Sequence, residues 1–328
     1  MAYSEAVLHR AKAILQQERQ EYDRETYERT EAVFRRVPRL REIEAELRST
    51  GVKIMRTCLG PGADPSQAME QLRQENLALQ QERDWLLESN DIDPSELDRS
   101  PICRRCGGTG YVGAVMCECL QELCRQEQKK ELTVLFGSGH ESFERFRLDY
   151  YPQTAQPGQN VSPRQVMTYI FNHAQHYAKT FTEHSGSLLF VGATGLGKTF
   201  LSACIARTVA EKGYSVCYVS AEAMFSDFET DKFHPHPDGS LSRKYLSCDL
   251  LILDDLGTEM TTQFTVSALY QVVNTRLMEG RPTLISTNLP LAELEGRYSA
   301  QIASRILGSY ETFKFIGNDI RLLKKTKG

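Results

Sequence analysis

The chain has 328 residues, 41% hydrophobic and 25% charged, with a formal net charge of -4. That is enough apolar material for a packed core, so wholesale disorder is excluded, and the length predicts about two domains. Bulk charge excludes non-specific attraction to nucleic acid and leaves only a local basic patch for that purpose.

The first residues, MAYSEAVLHRAKAILQQ, are too polar for a signal peptide, and no run approaches the ~20 apolar residues of a membrane span. A soluble, cytoplasmic protein with no membrane contact is expected. From Ser4 to Met55 the sequence mixes Glu, Arg, Gln and Leu with few turn signals and reads as helix. Pro38 breaks it in two, because proline removes a donor and clashes with the preceding turn. After the loop GPGADPS comes MEQLRQENLALQQERDWLLESN, where Leu72, Leu79 and Leu86 recur at seven-residue spacing. The second heptad position holds Glu75 and Glu82, which favours an amphipathic helix packed on its neighbours over a dimerising coiled coil.

Next comes CRRCGGTGYVGAVMCEC. Cys103 and Cys106 form one tight pair, Cys117 and Cys119 another, and four thiolates so placed satisfy tetrahedral zinc. Gly107 and Gly108 supply permissive backbone for a knuckle, and Arg104 and Arg105 offset the charge of a four-thiolate site. A redox dithiol pair, an iron–sulfur cluster and unligated core cysteines are the alternatives. Cys124 is left as a spare. Cys204, Cys217 and Cys248 lie in apolar segments and read as small core residues. The expected organisation is a helical region at 1–95, a zinc-binding module with a connecting helix at 96–135, a linker at 136–163 and a further domain at 164–328.

Beyond the linker, helical and strand patterns alternate. Short apolar strands are expected at Ser187–Val191, Val216–Ser220, Leu250–Leu253, Thr283–Ser286 and Phe313–Phe315, with helices between most of them. Such alternation implies an α/β fold with a five-stranded, mainly parallel sheet. GATGLGKT, residues 192–199, fits the P-loop pattern between the strand SLLFV and the helix TFLSACIARTVAEKG. Gly192, Gly195 and Gly197 let backbone amides turn towards phosphate oxygens, and the helix N-terminus adds its positive end. Lys198 then reaches the β- and γ-phosphates of ATP, and Thr199 binds Mg²⁺. The residues expected around the nucleotide are Gly192, Ala193, Thr194, Gly195, Leu196, Gly197, Lys198, Thr199 and Phe200.

DLLILDDLGTE delivers Asp254 and Asp255 at the carboxyl end of an apolar strand, where ligands of open parallel sheets collect. Asp254 belongs to the Mg²⁺ shell, and Asp255 can orient the attacking water. Asn288 in LISTNLP is placed to hydrogen-bond that water or the γ-phosphate, although Asn before Leu-Pro is also ordinary turn chemistry. Between the second and third strands, Phe225, Phe228, Lys232, Arg243, Lys244 and Tyr245 mix aromatic and basic types, as stacking on single-stranded DNA requires. The competing reading makes Phe225 and Phe228 core residues beside a solvated loop. Arg305, taken alone, reads as a solvated charge on an amphipathic helix.

On GATGLGKT, DLLILDDLGTE, LISTNL and QIASRIL, the stretch from about Ser142 to Leu323 resembles the AAA+ ATPases, and within them the DnaC/IstB group of bacterial helicase loaders and transposition helpers. The resemblance implies a three-layer AAA+ P-loop domain. It implies Asn288 as the first sensor, Arg305 as an arginine finger reaching the ATP of a neighbouring subunit, and Arg321 in NDIR as a second sensor. Few residues follow Arg321, which leaves little room for the helical lid of many AAA+ proteins. Asp254-Asp255 stands where many have Asp-Glu, which suggests slow hydrolysis dependent on assembly or DNA. SELDRSPICRRCGGTGYVGAVMCECL resembles the zinc-bearing N-terminal region of helicase loaders from some Gram-positive bacteria and their phages. Together these imply an ATPase that loads a hexameric replicative helicase onto single-stranded DNA as a homo-oligomer, with ATP, Mg²⁺ and Zn²⁺. The alternative is an IstB-type helper of DNA transposition.

Overall fold

The structure, a computed structural model, describes residues 3–59, 65–135, 141–155, 161–233 and 241–327. The backbone divides into two compact units, Met1–Lys12 with Leu120–Gly328, and Ala13–Cys119.

The unit Ala13–Cys119 is built on three helices, α1 (Glu5–Arg36), α2 (Pro38–Leu59) and α3 (Pro65–Ser89). Proline at the start of α2 is tolerated because the first helical amide needs no acceptor, and it ends α1 where expected. Val33, Phe34, Val37 and Leu40 meet Leu87, Ile92 and Leu97 in a small core, with Leu86 against it. Polar pairs join α2 to α3: Arg39 grips Glu82 at 2.8 and 3.0 Å, and Arg83 donates to Glu44 at 2.8 Å. The leucine stripe of α3 is therefore at least partly spent inside this unit. The unit ends in a short hairpin of β1 (Tyr111–Val112) and β2 (Val115–Met116), which are antiparallel.

The second unit holds α4 (Glu118–Leu135) from Leu120 onward, and then a five-stranded sheet. Its strands are β3 (Ser187–Val191), β4 (Val216–Ser220), β5 (Leu250–Leu256), β6 (Thr283–Thr287) and β7 (Tyr310–Lys314). They lie in the order β4-β5-β6-β3-β7, and every pairing is parallel. Neighbouring residues of one strand go to opposite faces. Leu188, Phe190, Leu250, Ile252 and Leu284 face one core, and Leu189, Val191, Leu251, Leu253 and Ile285 face the other. The first core is covered by α5 (Pro163–Thr180) and α6 (Lys198–Glu211). The second is covered by α7 (Ala221–Phe233), α8 (Arg243–Ser247), α9 (Gln263–Met278), α10 (Leu291–Arg297) and α11 (Ala300–Ser309). A last helix, α12 (Ile320–Lys327), follows β7. This is the expected three-layer domain, with the central strands β3, β5 and β6 largely buried on both faces and the edge strands β4 and β7 partly exposed.

Two differences from the expected organisation stand out. The cysteine segment falls in the helical unit up to Cys119, while Leu120 onward groups with the sheet. Nor is the stretch after Ser142 a loose linker. Phe143 and Tyr151 are buried in the first core, Phe143 edge-on to Phe171 of α5 and Tyr151 donating to the Leu196 carbonyl. Residues 136–140 and 156–160 of the expected linker lie outside the described residues.

Arg276 of α9 is fully buried, and its partners are neutral groups. Nε donates to Thr283 at 2.9 Å, Nη1 to the carbonyls of Tyr245 (2.9 Å) and Cys248 (3.0 Å), and Nη2 to that of Pro282 (2.6 Å). One guanidinium thus satisfies the end of α8 and the residues leading into β5 and β6. Arg276→Ala should strip the donor from these buried acceptors, the Pro282 carbonyl keeping the Leu251 amide, at roughly 1–3 kcal/mol for each one left unpaired. A fall in the urea unfolding midpoint equivalent to at least about 3 kcal/mol is expected, against little change for the exposed Arg243→Ala.

Candidate functional site

At the end of β3 the chain curls through Gly192–Gly197 and enters α6 at Lys198. Gly195 has φ 75° and Gly197 φ 90°, conformations that side chains rarely adopt. Space is as restrictive as conformation. A Cβ at Gly195 would overlap the Asp319 carboxylate, and one at Gly197 would lie 2.9 Å from the Tyr151 hydroxyl. The loop lines a cavity of about 470 Å³ whose wall includes Thr194, Gly195, Leu196, Gly197, Lys198, Thr199, Phe200, Asp255 and Arg321. Gly192 and Ala193 contribute differently, through carbonyls that accept from Lys198 Nζ at 2.7 and 2.9 Å. Burial holds the Lys198 ammonium below its usual pKa, opposed by the nearby charges of Asp255 and Asp254.

Asp254 and Asp255 stand at the carboxyl end of β5, where the β5–β6 pairing slips between Leu253 and Leu256. Asp255 takes φ 54° there, which sends consecutive carboxyls to different surroundings. Asp254 is 6% exposed. Its Oδ1 accepts from the Ser286 hydroxyl and lies 3.5 Å from Thr199 Oγ1, and its Oδ2 accepts from the Tyr218 hydroxyl at 2.7 Å. Asp255 lines the cavity, and burial, then its acidic neighbour, raises its pKa. Hydroxyl and carboxylate oxygens at this distance are hard donors that fit Mg²⁺, which keeps most of its waters and takes one or two protein ligands.

The remaining expected residues separate by position. Asn288 follows β6, and its Oδ1 is buried without a hydrogen-bond partner. Arg321 lines the cavity at the start of α12. Arg305 is not on the cavity wall. On α11 its Nε donates to Asn274 Oδ1 and its Nη2 to the Tyr270 hydroxyl, both at 3.0 Å, with the guanidinium over the Tyr270 ring.

Sequence reading missed the segment before α5. Arg145, Phe146 and Tyr150 line the same cavity, and Phe146 stacks near Tyr151 and Phe171. The one signal was the aromatic density of SFERFRLDYY. It also missed Tyr218, which lies in no motif, and Ser286, which lies within LISTNL but reads there only as strand.

The expected DNA-contact set requires correction. Phe225, Phe228 and Tyr245 are buried in the second core at 4%, 7% and 1% exposure, with Phe228 stacked on Tyr245. Rings enclosed by the sheet and α9 offer no face to a base. Arg243 is exposed, and Lys244 is half-buried and paired with Asp227 at 2.9 Å.

In the other unit, the sulfurs of Cys103, Cys106, Cys117 and Cys119 all lie within 4.8 Å of one another. Cys103–Cys117 is 3.8 Å and Cys106–Cys119 is 3.5 Å. Zn–S bonds of about 2.3 Å in a tetrahedron put sulfurs about 3.8 Å apart, so the four thiols fit zinc. Gly110 donates its amide to Cys106 Sγ at 3.3 Å, with Gly107, Gly108 and Gly110 all at positive φ. Burial pushes the Cys106 thiol up, but the Gly110 amide and the neighbouring thiols outweigh it and bring its pKa to about 6. Cys124 is buried on α4 and stands outside the cluster.

Residues 173–327 match the family described as IstB-like ATP binding protein. The replicative helicase loader DnaC of Escherichia coli (strain K12) is 25% identical over 134 residues, 40% of this chain and 55% of that protein. The replicative helicase loader DnaI of Bacillus subtilis (strain 168) is 29% identical over 136 residues, 40% of this chain and 42% of that protein. A putative ATP-binding protein in an insertion sequence of Mycobacterium tuberculosis (strain ATCC 25618 / H37Rv) is 29% identical over 105 residues, 31% of this chain and 40% of that protein. The chain spans about half the length of the curated relatives it matches. Among the described residues no helix is long and apolar enough to cross a membrane.

Two outcomes follow from this geometry. Gly195→Ala strains the loop against Asp319 and should weaken ATP binding at least about tenfold while the fold survives, read by fluorescent-nucleotide titration and circular dichroism. Purified protein should carry one zinc per chain by elemental analysis. Cys117→Ser should lose it and lower the unfolding temperature of the helical unit, with nucleotide affinity unchanged.

Proposed function

We propose that this chain is an ATP-dependent loader of a hexameric replicative helicase onto single-stranded DNA. The observation that supports it best is a complete phosphate site in a domain whose relatives include two named replicative helicase loaders. In this reading the P-loop amides and Lys198 hold the β- and γ-phosphates, and Arg145, Phe146 and Tyr150 border the rest of the nucleotide. Thr199 and Asp254 hold Mg²⁺, which when bound neutralises charge on the phosphate oxygens. Asp255 orients the attacking water, with Asn288 beside it and Arg321 on the cavity wall.

Arg305 lies away from the cavity of its own chain, as a finger serving a neighbouring subunit requires. The active site would then be complete only in a homo-oligomer, and hydrolysis would be slow in the isolated chain. A finger is worth roughly 10³–10⁵ in rate where measured. The helical unit with its zinc hairpin would bind the helicase, and ATP turnover would set when that grip is released. Of the expected DNA contacts, Lys232, Arg243 and Lys244 remain on the surface. They give a weak phosphate contact, without the stacking first expected.

A second reading, an ATPase helper of DNA transposition, has support in the insertion-sequence relative. Native mass spectrometry of the chain with its host's replicative helicase, with and without ATP, separates the two. A helicase-bound complex that changes with nucleotide is expected and should be absent for Lys198→Ala. No complex under any nucleotide, with ATP-dependent assembly on duplex DNA instead, would establish the transposition reading.

A further inference from the structure

We infer that Tyr218 and Ser286 are positioning residues that hold the Asp254 carboxylate in the orientation needed by the Mg²⁺ of a bound nucleotide. The inference rests on the ATP-site reading above. Asp254 is nearly buried, so each of its oxygens needs donors. The two neighbouring strands supply one each. On one side Tyr218 of β4 pairs in register with Ile252, and its ring rises along the same face to donate to Oδ2 at 2.7 Å. On the other side Ser286 of β6 donates to Oδ1.

The direction of the Ser286 bond is fixed by a second one. Its Oγ accepts the amide of Asp255 at 3.0 Å, so its single proton is left for Asp254. One hydroxyl therefore orients the first carboxylate and pins the backbone of the second, at the residue with φ 54°. The carboxylate edge nearest Thr199, 3.5 Å from its hydroxyl, is where a shared cation fits. Strand β4 is itself held from outside. Gln128 of α4 donates to the Tyr214 carbonyl at 2.8 Å and accepts the Val216 amide at 3.0 Å, as a further strand would. The Tyr218 hydroxyl thus comes from a strand paired with β5 along one edge and tied at its start on the other by one side chain.

Groups that orient a metal ligand typically cost 10–100-fold in metal affinity when removed. The test uses the full chain with Tyr218→Phe and Ser286→Ala, each checked by thermal unfolding. Mn²⁺ is titrated by electron paramagnetic resonance in the presence of a non-hydrolysable ATP analogue. Nucleotide binding is measured separately in EDTA. Each variant should bind Mn²⁺ about tenfold more weakly, while the EDTA nucleotide affinity stays within about twofold, since the P-loop amides and Lys198 are untouched. Wild-type Mn²⁺ affinity in both variants would overturn the inference. If one variant does not fold the other decides, and failure of both assigns the hydroxyls to folding and overturns it as well. A wild-type chain that binds no nucleotide in EDTA or with metal would instead overturn the ATP-site reading, whatever the variants do.

Discussion

The nucleotide domain is organised around one loop in which glycines have no room for a side chain. Gly192 is pressed by the backbone of Phe315, Gly195 by the carboxylate of Asp319, and Gly197 by the hydroxyl of Tyr151. Those three neighbours come from the segment before α5 and from the segment after β7. The loop is therefore the point where distant parts of the domain converge on β3. The Ile320 amide bonds to the Gly195 carbonyl, and the Tyr151 hydroxyl donates to the Leu196 carbonyl. A loop held in this way is fixed by the fold itself, so little ordering cost remains at binding.

The second constraint is the burial of charge beside that loop. A carboxylate at 6% exposure and a lysine at 5% are tolerated because each is supplied with partners. Asp254 receives hydroxyls from the two strands that flank β5, and Lys198 rests on two carbonyls of its own loop. The positive φ of Asp255 gives the two adjacent acids different surroundings, one enclosed and one facing the cavity. Their sequence adjacency alone would not predict that division.

The cysteine module answers to different physics. Among the described residues its unit has a small apolar cluster around Phe34 and Leu87, and the hairpin β1–β2 adds two residues per strand. A hairpin of that size cannot hold itself together in water. Four converging thiols are placed to supply, with a metal bound, the cross-link that its core does not.

Much of the domain was legible from local pattern. Five short runs became the five strands; the central β3, β5 and β6 read as continuous hydrophobic stretches because they are buried on both faces, and the boundaries shifted mainly at β5 and at the half-exposed β7. The P-loop, the acid pair and the cysteine spacing were legible because each is a local arrangement whose chemistry needs those residues at short range. What lay beyond the sequence was everything set by which strands become neighbours. Phe225, Phe228 and Tyr245 looked like a stacking platform until the sheet order placed them under α9. Tyr218 and Ser286 look like ordinary strand residues, 68 positions apart (286 − 218), and only the order β4-β5-β6 brings both hydroxyls to Asp254. Phe146 reached the nucleotide cavity by the same route, from a stretch that reads as a linker. Local propensity and motif spacing are properties of contiguous chain, so the sequence by itself determined the strands, the phosphate loop and the cysteine cluster. Side-chain partnership across strands depends on long-range packing, so only the tertiary structure decided which residues complete the site and which are core.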